Sequence, residues 1–316
     1  MRVTVKEPAT LIAFLQGKMP EASKTKLRSL LKHHAVLVDG VAQSIPSTPI
    51  ARGQVIEILS VEARTVENAR RKAPFDILYE DDFVIAVNKP KGWLSIARED
   101  ETRETLYQAV FDYVRAATNE KQRCFIVHRL DREVSGVMIL AKTEEAKRRL
   151  MNSWDHNEKV YTAVVEGIPH PAEGTITSYL DETSPARVRV VHKMPGAREA
   201  ITHYKVLKQT ETHALVEIRI ETGRRHQIRA HLPSIGCPIA GDKRYGARTN
   251  PLQRVALHST RLTFDHPVSK QRVRIEANVP MNFRKFDNLN PYLLKHKTAL
   301  KAKAAAKPRA PRKPKA

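Results

Sequence analysis

One short run of the sequence concentrates carboxyl, guanidinium and imidazole groups, His128-Arg-Leu-Asp-Arg-Glu-Val-Ser-Gly136. Within this run Asp131 lies between Arg129 and Arg132, and nearby cations favour the ionised form of a carboxyl group. The apolar strand predicted after Gly136 would present the carboxylate from a rigid sheet. An ionised Asp131 can then act as a nucleophile or as a base, whereas an isolated Asp in such a place more often caps a turn.

A second polar cluster, Glu221-Thr-Gly-Arg-Arg-His-Gln-Ile-Arg-Ala-His-Leu232, lies where a predicted strand gives way to a predicted helix. Arg225 and Arg229 are four residues apart and would share one helix face, from which a guanidinium can bind an acid or a phosphate. The alternative is a surface charge on a helix. His226 and His231 are five residues apart, which puts them on different faces, so we expect no metal site.

The segment Gly236-Cys-Pro-Ile-Ala-Gly-Asp-Lys243 approaches the pattern of a phosphate-binding loop. Asp242 interrupts that pattern before the lysine, no Ser or Thr follows the lysine, and no apolar strand leads into the segment. We therefore expect no nucleoside triphosphate site. Glycine-rich dinucleotide motifs, paired-His zinc motifs and serine nucleophile elbows are also absent from the sequence.

Strand patterns outnumber helical patterns in the body of the chain. Apolar or alternating runs predict strands at 83–87, 137–142, 160–166, 188–191, 203–207, 215–220 and 273–279. Helical spacing predicts helices at 105–117, 144–154 and 225–235. Because the strands come in consecutive groups, we predict an α+β fold with a mixed, largely antiparallel sheet rather than a doubly wound one.

Two short helices are predicted near the N-terminus, and the second carries a row of cations. Ser23 is a suitable N-cap for this helix, and its leucines are spaced to form one apolar face. Lys24, Arg28 and Lys32 recur every four residues and would lie together, away from that face. Such a row can bind phosphates, although three charges alone fit a solvated helix face better.

The chain is predicted to have four parts. Residues 1–59 form a small domain whose helices are followed by short strands, and residues 60–74 form a polar linker. Residues 75–288 form the main domain, and residues 289–316 form a basic, disordered tail. The tail cannot bury enough apolar surface to offset its chain entropy.

Positive charge dominates the composition of the 316 residues, in which 55 Lys and Arg stand against 34 Asp and Glu, a formal net charge of +21. Nine of these cations and no acid lie in 295–316, which leaves 46 against 34, or +12, for the rest of the chain. This excess favours a polyanionic partner, above all a nucleic acid. Two cysteines and no long apolar run predict neither a disulfide framework nor a membrane span, so we expect a cytoplasmic protein.

The run from His128 to Gly136 resembles the H-R-L-D-x-x-T-S-G signature of the RluA family of pseudouridine synthases. Further motifs match in the family's order: Asn88-Lys-Pro-Lys-Gly92, Lys159-Val-Tyr-Thr-Ala163, Gly223-Arg-Arg-His-Gln-Ile-Arg-Ala-His-Leu232, Gly241-Asp-Lys-Arg-Tyr-Gly246 and Leu257-His-Ser-Thr-Arg-Leu262. Val134 replaces the usual Thr, which removes one hydroxyl beside the site. Residues 24–58, with their cationic helix and following strands, resemble the small RNA-binding module named after ribosomal protein S4.

The resemblance implies an enzyme that isomerises uridines in RNA to pseudouridine without a cofactor or metal. Asp131 would be the essential catalytic residue, Tyr161 would stack against the uracil, and Arg229 would pair with the aspartate. Arg129 would help fill the space left by the extruded nucleotide. The other candidates for RNA contact are His128, Lys89 and Arg224, which could instead support the site, and Lys24, Arg28 and Lys32 in the N-terminal domain.

The two-domain organisation resembles family members that act on large-subunit, 23S-type ribosomal RNA, with transfer RNA as the alternative substrate and a monomer as the expected state. Two other functions are compatible with parts of the sequence. A non-catalytic RNA-binding or ribosome-assembly protein would also use the basic domain and tail, but it has no need of an acid placed among cations that face a polyanion. A glycosidase would need a second catalytic carboxylate, and none is convincing.

Overall fold

The structure is a computed structural model that describes residues 1–97, 105–280 and 283. These residues form two compact units. The first consists of Met1–Asp76 and a further segment that ends at Phe125, and the other described residues belong to the second. The predicted tail lies outside the described residues. Within the described ranges no helix has both the length and the apolarity to cross a bilayer.

The first unit is built on a four-stranded antiparallel sheet. The strands of the whole unit are β1 (Arg2–Thr4), β2 (Ala9–Thr10), β3 (Val36–Val38), β4 (Val41–Ala42), β5 (Pro49–Ile50) and β6 (Val55–Ile58). Its helices are α1 (Leu11–Lys18), α2 (Lys24–Lys32), α3 (Val61–Lys72) and α4 (Leu106–Ala117). The sheet order is β1-β6-β3-β4, and β2 pairs separately with β5.

Helix α2 has the cap and the two faces that its sequence predicts. The Ser23 hydroxyl accepts the Lys26 N–H at 3.2 Å, which satisfies one of the free donors at the helix start. Leu27 and Leu31 are fully buried in the core of the unit. The three cations of the predicted row, Lys24, Arg28 and Lys32, are all exposed. The row is therefore available to a ligand, while its role in RNA binding stays a prediction.

The polar segment 60–74, predicted as a linker, is largely helical. Helix α3 occupies Val61–Lys72, and the Ser60 hydroxyl caps it by accepting the Ala63 N–H at 3.1 Å. The segment contains no glycine, and its single proline, Pro74, lies beyond the end of the helix. Its high charge suggested a linker, yet charged residues are good helix formers when no Gly or Pro interrupts them.

A large mixed sheet forms the frame of the second unit. Its strands are β7 (Asp76–Glu80), β8 (Val84–Lys89), β9 (Phe125–Ile126), β10 (Ser135–Ala141), β11 (Glu158–Glu166), β12 (Glu173–Asp181), β13 (Arg189–Val191), β14 (Arg198–Gln209), β15 (His213–Ile220), β16 (Leu257–Asp265) and β17 (Arg272–Glu276). The order is β13-β12-β14-β15-β11-β16-β10-β8-β7, with β17 beside β16 and β9 beside β10. Helices α5 (Glu144–Asn152) and α6 (Gln227–Ser234) and two 3-10 turns, Trp154–His156 and Lys243–Tyr245, complete the unit as described.

The pairing within this sheet confirms the predicted α+β class. Strands β10 and β16 run parallel, whereas β8 with β10, β11 with β15 and β16, and β14 with β12 and β15 are antiparallel. Strand β10 is buried along its whole length, so it is a rigid support for the residues that precede it. The predicted site residue Asp131 lies in the turn that leads into this strand.

Gly136 is required at the start of β10 because two strands approach each other closely there. Its φ is +117°, and it pairs with Ser259 of β16. A Cβ atom at this position would lie 2.1 Å from the Ser259 carbonyl oxygen, which real Cβ contacts do not allow. The glycine of the signature therefore sets the spacing between the two parallel strands.

Candidate active site

A buried lysine, Lys89, holds the turn that contains Asp131 through hydrogen bonds. Lys89 Nζ donates to the carbonyl oxygens of Val134 at 2.8 Å, Pro90 at 3.2 Å and Arg132 at 3.4 Å. Lys89 is 0% exposed, so the RNA contact suggested for it is wrong; its role is to hold the turn. Burial lowers the pKa of Lys89 to about 8, while the nearby carboxylate of Asp131 opposes that shift.

Arg229 links Asp131 to a second carboxylate in the protein interior. Its Nη1 lies 3.1 Å from Asp131 Oδ2, so the structure brings the predicted pair together. Its other side forms a two-bond fork with Asp242, with Nε to Oδ2 at 2.7 Å and Nη2 to Oδ1 at 3.0 Å. Arg229 is 2% exposed and Asp242 is 1% exposed. The fork fixes the guanidinium plane, which leaves Nη1 directed at Asp131.

Glu133 also contacts this guanidinium, with Oε2 at 3.2 Å from Arg229 Nη1. Burial alone would lower the pKa of Arg229, but its hydrogen bonds with Asp242 and the charge of Asp131 raise that pKa above its ordinary value. The arginine is therefore a permanent cation that three carboxylates share. Sequence reasoning missed both Glu133 and Asp242; the available signal was that a largely buried arginine needs a buried counter-charge.

Arg225 does not share a helix face with Arg229, contrary to the prediction. Helix α6 begins only at Gln227, and His226 before it has a left-handed backbone with φ of 49°. Arg225 lies in the preceding turn, where its guanidinium donates to the backbone oxygens of Glu182, Ser184 and Pro185. The helix starts late because the left-handed residue turns the chain, so the four-residue spacing no longer places the two arginines on one face.

His226 also faces the catalytic candidate. Its Nε2 lies 3.7 Å from Asp131 Oδ2, and its Nδ1 lies 2.8 Å from the Tyr245 hydroxyl. That hydroxyl already accepts the Val188 N–H at 2.9 Å, so its proton is free to be donated to Nδ1. Burial lowers the pKa of His226, although the charge of Asp131 opposes the shift. His226 thus lies between the Tyr245 hydroxyl and the Asp131 carboxylate.

A cavity of about 300 Å³ opens beside Asp131. Tyr161 of β11 borders it, as do Arg229 and the exposed Arg129, so the structure brings the main predicted site residues to one place. Burial raises the pKa of Tyr161, and the charge of Asp131 raises it further, so the phenol stays neutral. The cavity therefore combines an aromatic ring, a carboxylate and fixed cations.

His128 and Trp154 form an aromatic wall of the same cavity. Their rings stack with centroids 4.4 Å apart and planes inclined by 28°. The His128 Nε2 accepts the Ile139 N–H at 3.0 Å, and burial lowers the pKa of His128 to about 3, so this imidazole is neutral. Sequence reasoning missed Trp154, which lies in a 3-10 turn rather than in a recognised motif. Arg224 borders the cavity and donates to the Glu199 carbonyl at 3.1 Å.

Acid should destabilise the protein through His231, which ties α6 to the sheet. It is 0% exposed, and its ring nitrogens lie 2.9 Å from the hydroxyls of Thr202 and Ser178. Burial lowers its pKa to about 4. Because the unfolded chain takes up this proton near pH 6.5, about 3 kcal/mol of stability is lost as the pH falls towards 4.

Urea unfolding at several pH values measures this effect. The His231→Asn variant has no imidazole to titrate, so its free energy of unfolding should fall less steeply with acid than that of the wild type. Equal slopes would contradict the assignment.

No group of three or more His, Cys, Asp or Glu side chains in the described ranges converges in the manner of a metal site.

Comparison with known proteins matches these residues to one family. A family model described as RNA pseudouridylate synthase matches residues 83–234. Ribosomal large subunit pseudouridine synthase D of Neisseria meningitidis serogroup B is 32% identical over 284 residues, which cover 85% of this chain and 75% of the relative. An uncharacterized RNA pseudouridine synthase of Bacillus subtilis is 33% identical over 272 residues, covering 84% of this chain and 89% of the relative.

A solved structure shows the same fold. Human RNA pseudouridylate synthase domain containing 4 superposes with a TM-score of 0.57 at 23% identity, over 68% of this chain and 91% of the human chain. At that identity the likeness concerns the fold alone.

Proposed function

The chain belongs to the RNA pseudouridylate synthase family, and from this premise we propose that it isomerises uridines of large-subunit ribosomal RNA, with Asp131 as its catalytic carboxylate. Membership makes the protein an isomerase that acts on RNA. Several relatives carry the name ribosomal large subunit pseudouridine synthase D, which supports the ribosomal substrate. The observation that carries the catalytic assignment is that Asp131, 3.1 Å from the buried Arg229, faces the same cavity as Tyr161.

The reaction breaks the bond from C1′ of the ribose to N1 of the uracil and forms a bond from C1′ to C5. A uridine in structured RNA must first leave its stack, at a cost of a few kcal/mol, and an aromatic ring such as Tyr161 can replace the lost stacking. As the bond to N1 breaks, positive charge develops on the ribose and negative charge on the uracil. The Asp131 carboxylate stabilises the first, either electrostatically or by attack, and fixed donors stabilise the second.

The detached uracil must turn over before C5 can bond to C1′. The walls of the cavity confine the base during this step. The hydrogen on C5 leaves as a proton to water, and N1 gains a proton. Arg229 holds Asp131 in one position throughout, because Asp242 fixes its guanidinium from behind. His226 lies beside the same carboxylate, with its Nε2 3.7 Å from Asp131 Oδ2.

Nucleoside analysis tests this function. An unmodified transcript of bacterial large-subunit ribosomal RNA, incubated with the full chain, should gain pseudouridine at one or a few positions. Transfer RNA transcripts serve as the comparison. Product in transfer RNA alone would contradict the ribosomal assignment, and no product in either RNA would contradict the activity.

Tyr161 should contribute through its ring rather than through its hydroxyl. Tyr161→Ala should lower kcat/KM roughly 5- to 150-fold, because stacking on one base stabilises the transition state by about 1–3 kcal/mol. Tyr161→Phe keeps the ring and should stay within a few fold of the wild type. Single-turnover rates on the same transcript measure both changes. If Tyr161→Phe lost as much as Tyr161→Ala, the hydroxyl and not the ring would be the important group.

We further propose that the first unit is an S4-like RNA-binding module that delivers RNA to this site. The exposed row of Lys24, Arg28 and Lys32 supports this role, because three aligned cations can contact successive phosphates.

A further inference from the structure

A half-buried arginine, Arg254, contacts the strand that follows Asp131 and has no carboxylate partner. Its Nη2 donates to the Ser135 hydroxyl at 2.7 Å and to the Leu257 carbonyl at 3.1 Å, and its Nε donates to the Val255 carbonyl at 3.0 Å. Within the ranges that the structure describes, no Asp or Glu lies within ion-pair distance of this guanidinium. Burial lowers the pKa of Arg254 to about 10. A desolvated cation without a counter-charge is unfavourable, so these hydrogen bonds must compensate for the lost water.

The contact with Ser135 connects Arg254 to the turn of Asp131. Ser135 is 5% exposed and is the first residue of β10, four positions after Asp131. An arginine can only donate, so the Ser135 hydroxyl accepts from Arg254, and the same oxygen lies 2.8 Å from Nδ1 of His258 in β16. Arg254 therefore holds the start of β10 where it runs parallel to β16. Lys89 binds the carbonyl of the residue before Ser135, so two cations hold the chain at adjacent positions.

The backbone of Arg254 belongs to a loop that packs against the turn of Asp242. The Gly241 N–H donates to the Thr249 carbonyl at 2.8 Å. A Cβ atom at Gly241 would lie 2.1 Å from the Arg254 carbonyl oxygen, so the two backbones are in direct contact. Asp242, which follows Gly241 in the chain, is the carboxylate that fixes the guanidinium of Arg229. The loop of Arg254 and the turn that orients Arg229 are therefore held together.

We propose that Arg254 is a positioning residue that fixes the distance between Asp131 and Arg229. Its side chain holds the strand that follows Asp131, and its backbone packs against the turn whose Asp242 orients Arg229. Arg254 thus contacts the segments that place both members of the pair. This inference rests on the proposed function, because it concerns the placement of the proposed catalytic carboxylate.

Arg254 is placed to act through the protein and not directly on the uridine. It lies outside the lining of the cavity beside Asp131. Phe283, which is 1% exposed, covers the guanidinium on one side, with the guanidinium carbon 5.3 Å from the ring centre. The contact that leads from Arg254 to the active site is therefore the one with Ser135.

Single-turnover rates at saturating enzyme test the proposal. Ser135→Ala removes only the hydroxyl, and Arg254→Met removes the charge and the donors but keeps an unbranched side chain. Thr263→Val is the matched control, because it removes a buried hydroxyl from β16 that lies 3.0 Å from Oε2 of Glu158. RNA affinity is measured separately for each variant, and thermal unfolding checks that each one is folded at the assay temperature.

Both Ser135→Ala and Arg254→Met should lower the rate constant, and Arg254→Met should lower it on the order of 100-fold, because a displacement of about 1 Å in a catalytic group is enough for such a loss. RNA affinity should stay within a few fold of the wild type, and Thr263→Val should keep the wild-type rate. Combining Ser135→Ala with Arg254→Met should be no slower than Arg254→Met alone, because the two residues act through one contact. An arginine with a purely structural role would change the folded fraction and not the rate of the folded, RNA-bound enzyme.

A folded Arg254→Met variant that reacts as fast as the wild type would overturn the proposal. If Arg254→Met does not fold, a wild-type rate in Ser135→Ala would overturn it instead. An equal loss of rate in Thr263→Val would also overturn it, as would a loss confined to RNA affinity, which would make Arg254 an RNA contact. The proposed function fails in a different way, because the wild type itself would then form no pseudouridine in the same assay.

Discussion

Replacing Asp131 by Asn should lower the rate of pseudouridine formation by on the order of 10⁴-fold, while RNA affinity stays within a few fold of the wild type. The amide has the shape of the carboxylate but no charge, so it cannot stabilise the cation that develops on the ribose. Forming the bond from C1′ to C5 expels the C5 hydrogen. Release of tritium from RNA labelled at C5 of uridine, under single-turnover conditions, therefore measures the rate.

Glu133→Gln is the matched control for this experiment. Glu133 contacts the same Arg229 nitrogen at nearly the same distance, but its side chain is 39% exposed. Since such a pair contributes about 0–1 kcal/mol, the Gln variant should keep activity within about tenfold of the wild type. If Glu133→Gln lost as much activity as Asp131→Asn, the essential carboxylate would be misassigned.

Replacing Arg229 by Gln should destabilise the fold as well as the site. Asp242 is 1% exposed, and without its partner it would be a buried charge with no counter-ion. Breaking a buried pair in this way costs about 3–5 kcal/mol of unfolding free energy. Urea unfolding measures that loss, and the activity of the remaining folded protein should fall too, because nothing then holds Asp131.

A double substitution separates the two roles of Arg229. In Arg229→Met with Asp242→Leu, no buried charge is left unpaired, so most of the lost stability should return. Activity should not return, because the guanidinium next to Asp131 is still missing. A double variant that recovers both would show that Arg229 acts only through stability, and one that recovers neither would mean that the Arg229–Asp242 pair is needed for folding itself.

The residues around Asp131 were predictable where the motifs name them. Asp131, Tyr161 and Arg229 border one cavity, as the signature and the motifs that follow it imply. Asp242 was not predicted as a site residue, although it lies in the Gly241–Gly246 motif, because neither that motif nor the likeness to a phosphate loop indicates its partner. The role of Asp242 is evident only from the structure, in which Asp242 and Arg229 neutralise each other's charge in the protein interior.

The fold was predictable where apolar patterns are simple. Strand β10 is a continuous buried run and was predicted, whereas its parallel neighbour β16 was not, although it runs from Leu257 to Asp265 through the middle of the sheet. Its polar residues conceal the strand pattern. They are acceptable in the interior because they bond across the sheet, as His258 Nδ1 does with the Ser135 hydroxyl at 2.8 Å. Such pairing depends on which strands are adjacent, and that information is not local in the sequence.

The role of Lys89 likewise could not be predicted from the local sequence. A lysine in a basic protein that binds RNA is readily interpreted as a phosphate contact. Here its amine donates instead to the carbonyls of Arg132 and Val134, in the turn around Asp131, and to that of Pro90. Only the position of β8 beside β10 brings the side chain under that turn.

The Asp131 carboxylate should be indispensable for the rearrangement of a bound uridine. Its most direct test brings the wild type and Asp131→Asn to equal occupancy on the same RNA and counts the pseudouridine formed per bound RNA in one turnover. The wild type should approach one product per target site, and the variant should form none above background. Product from the variant in the same amount and at the same rate would show that the Asp131 carboxylate is dispensable.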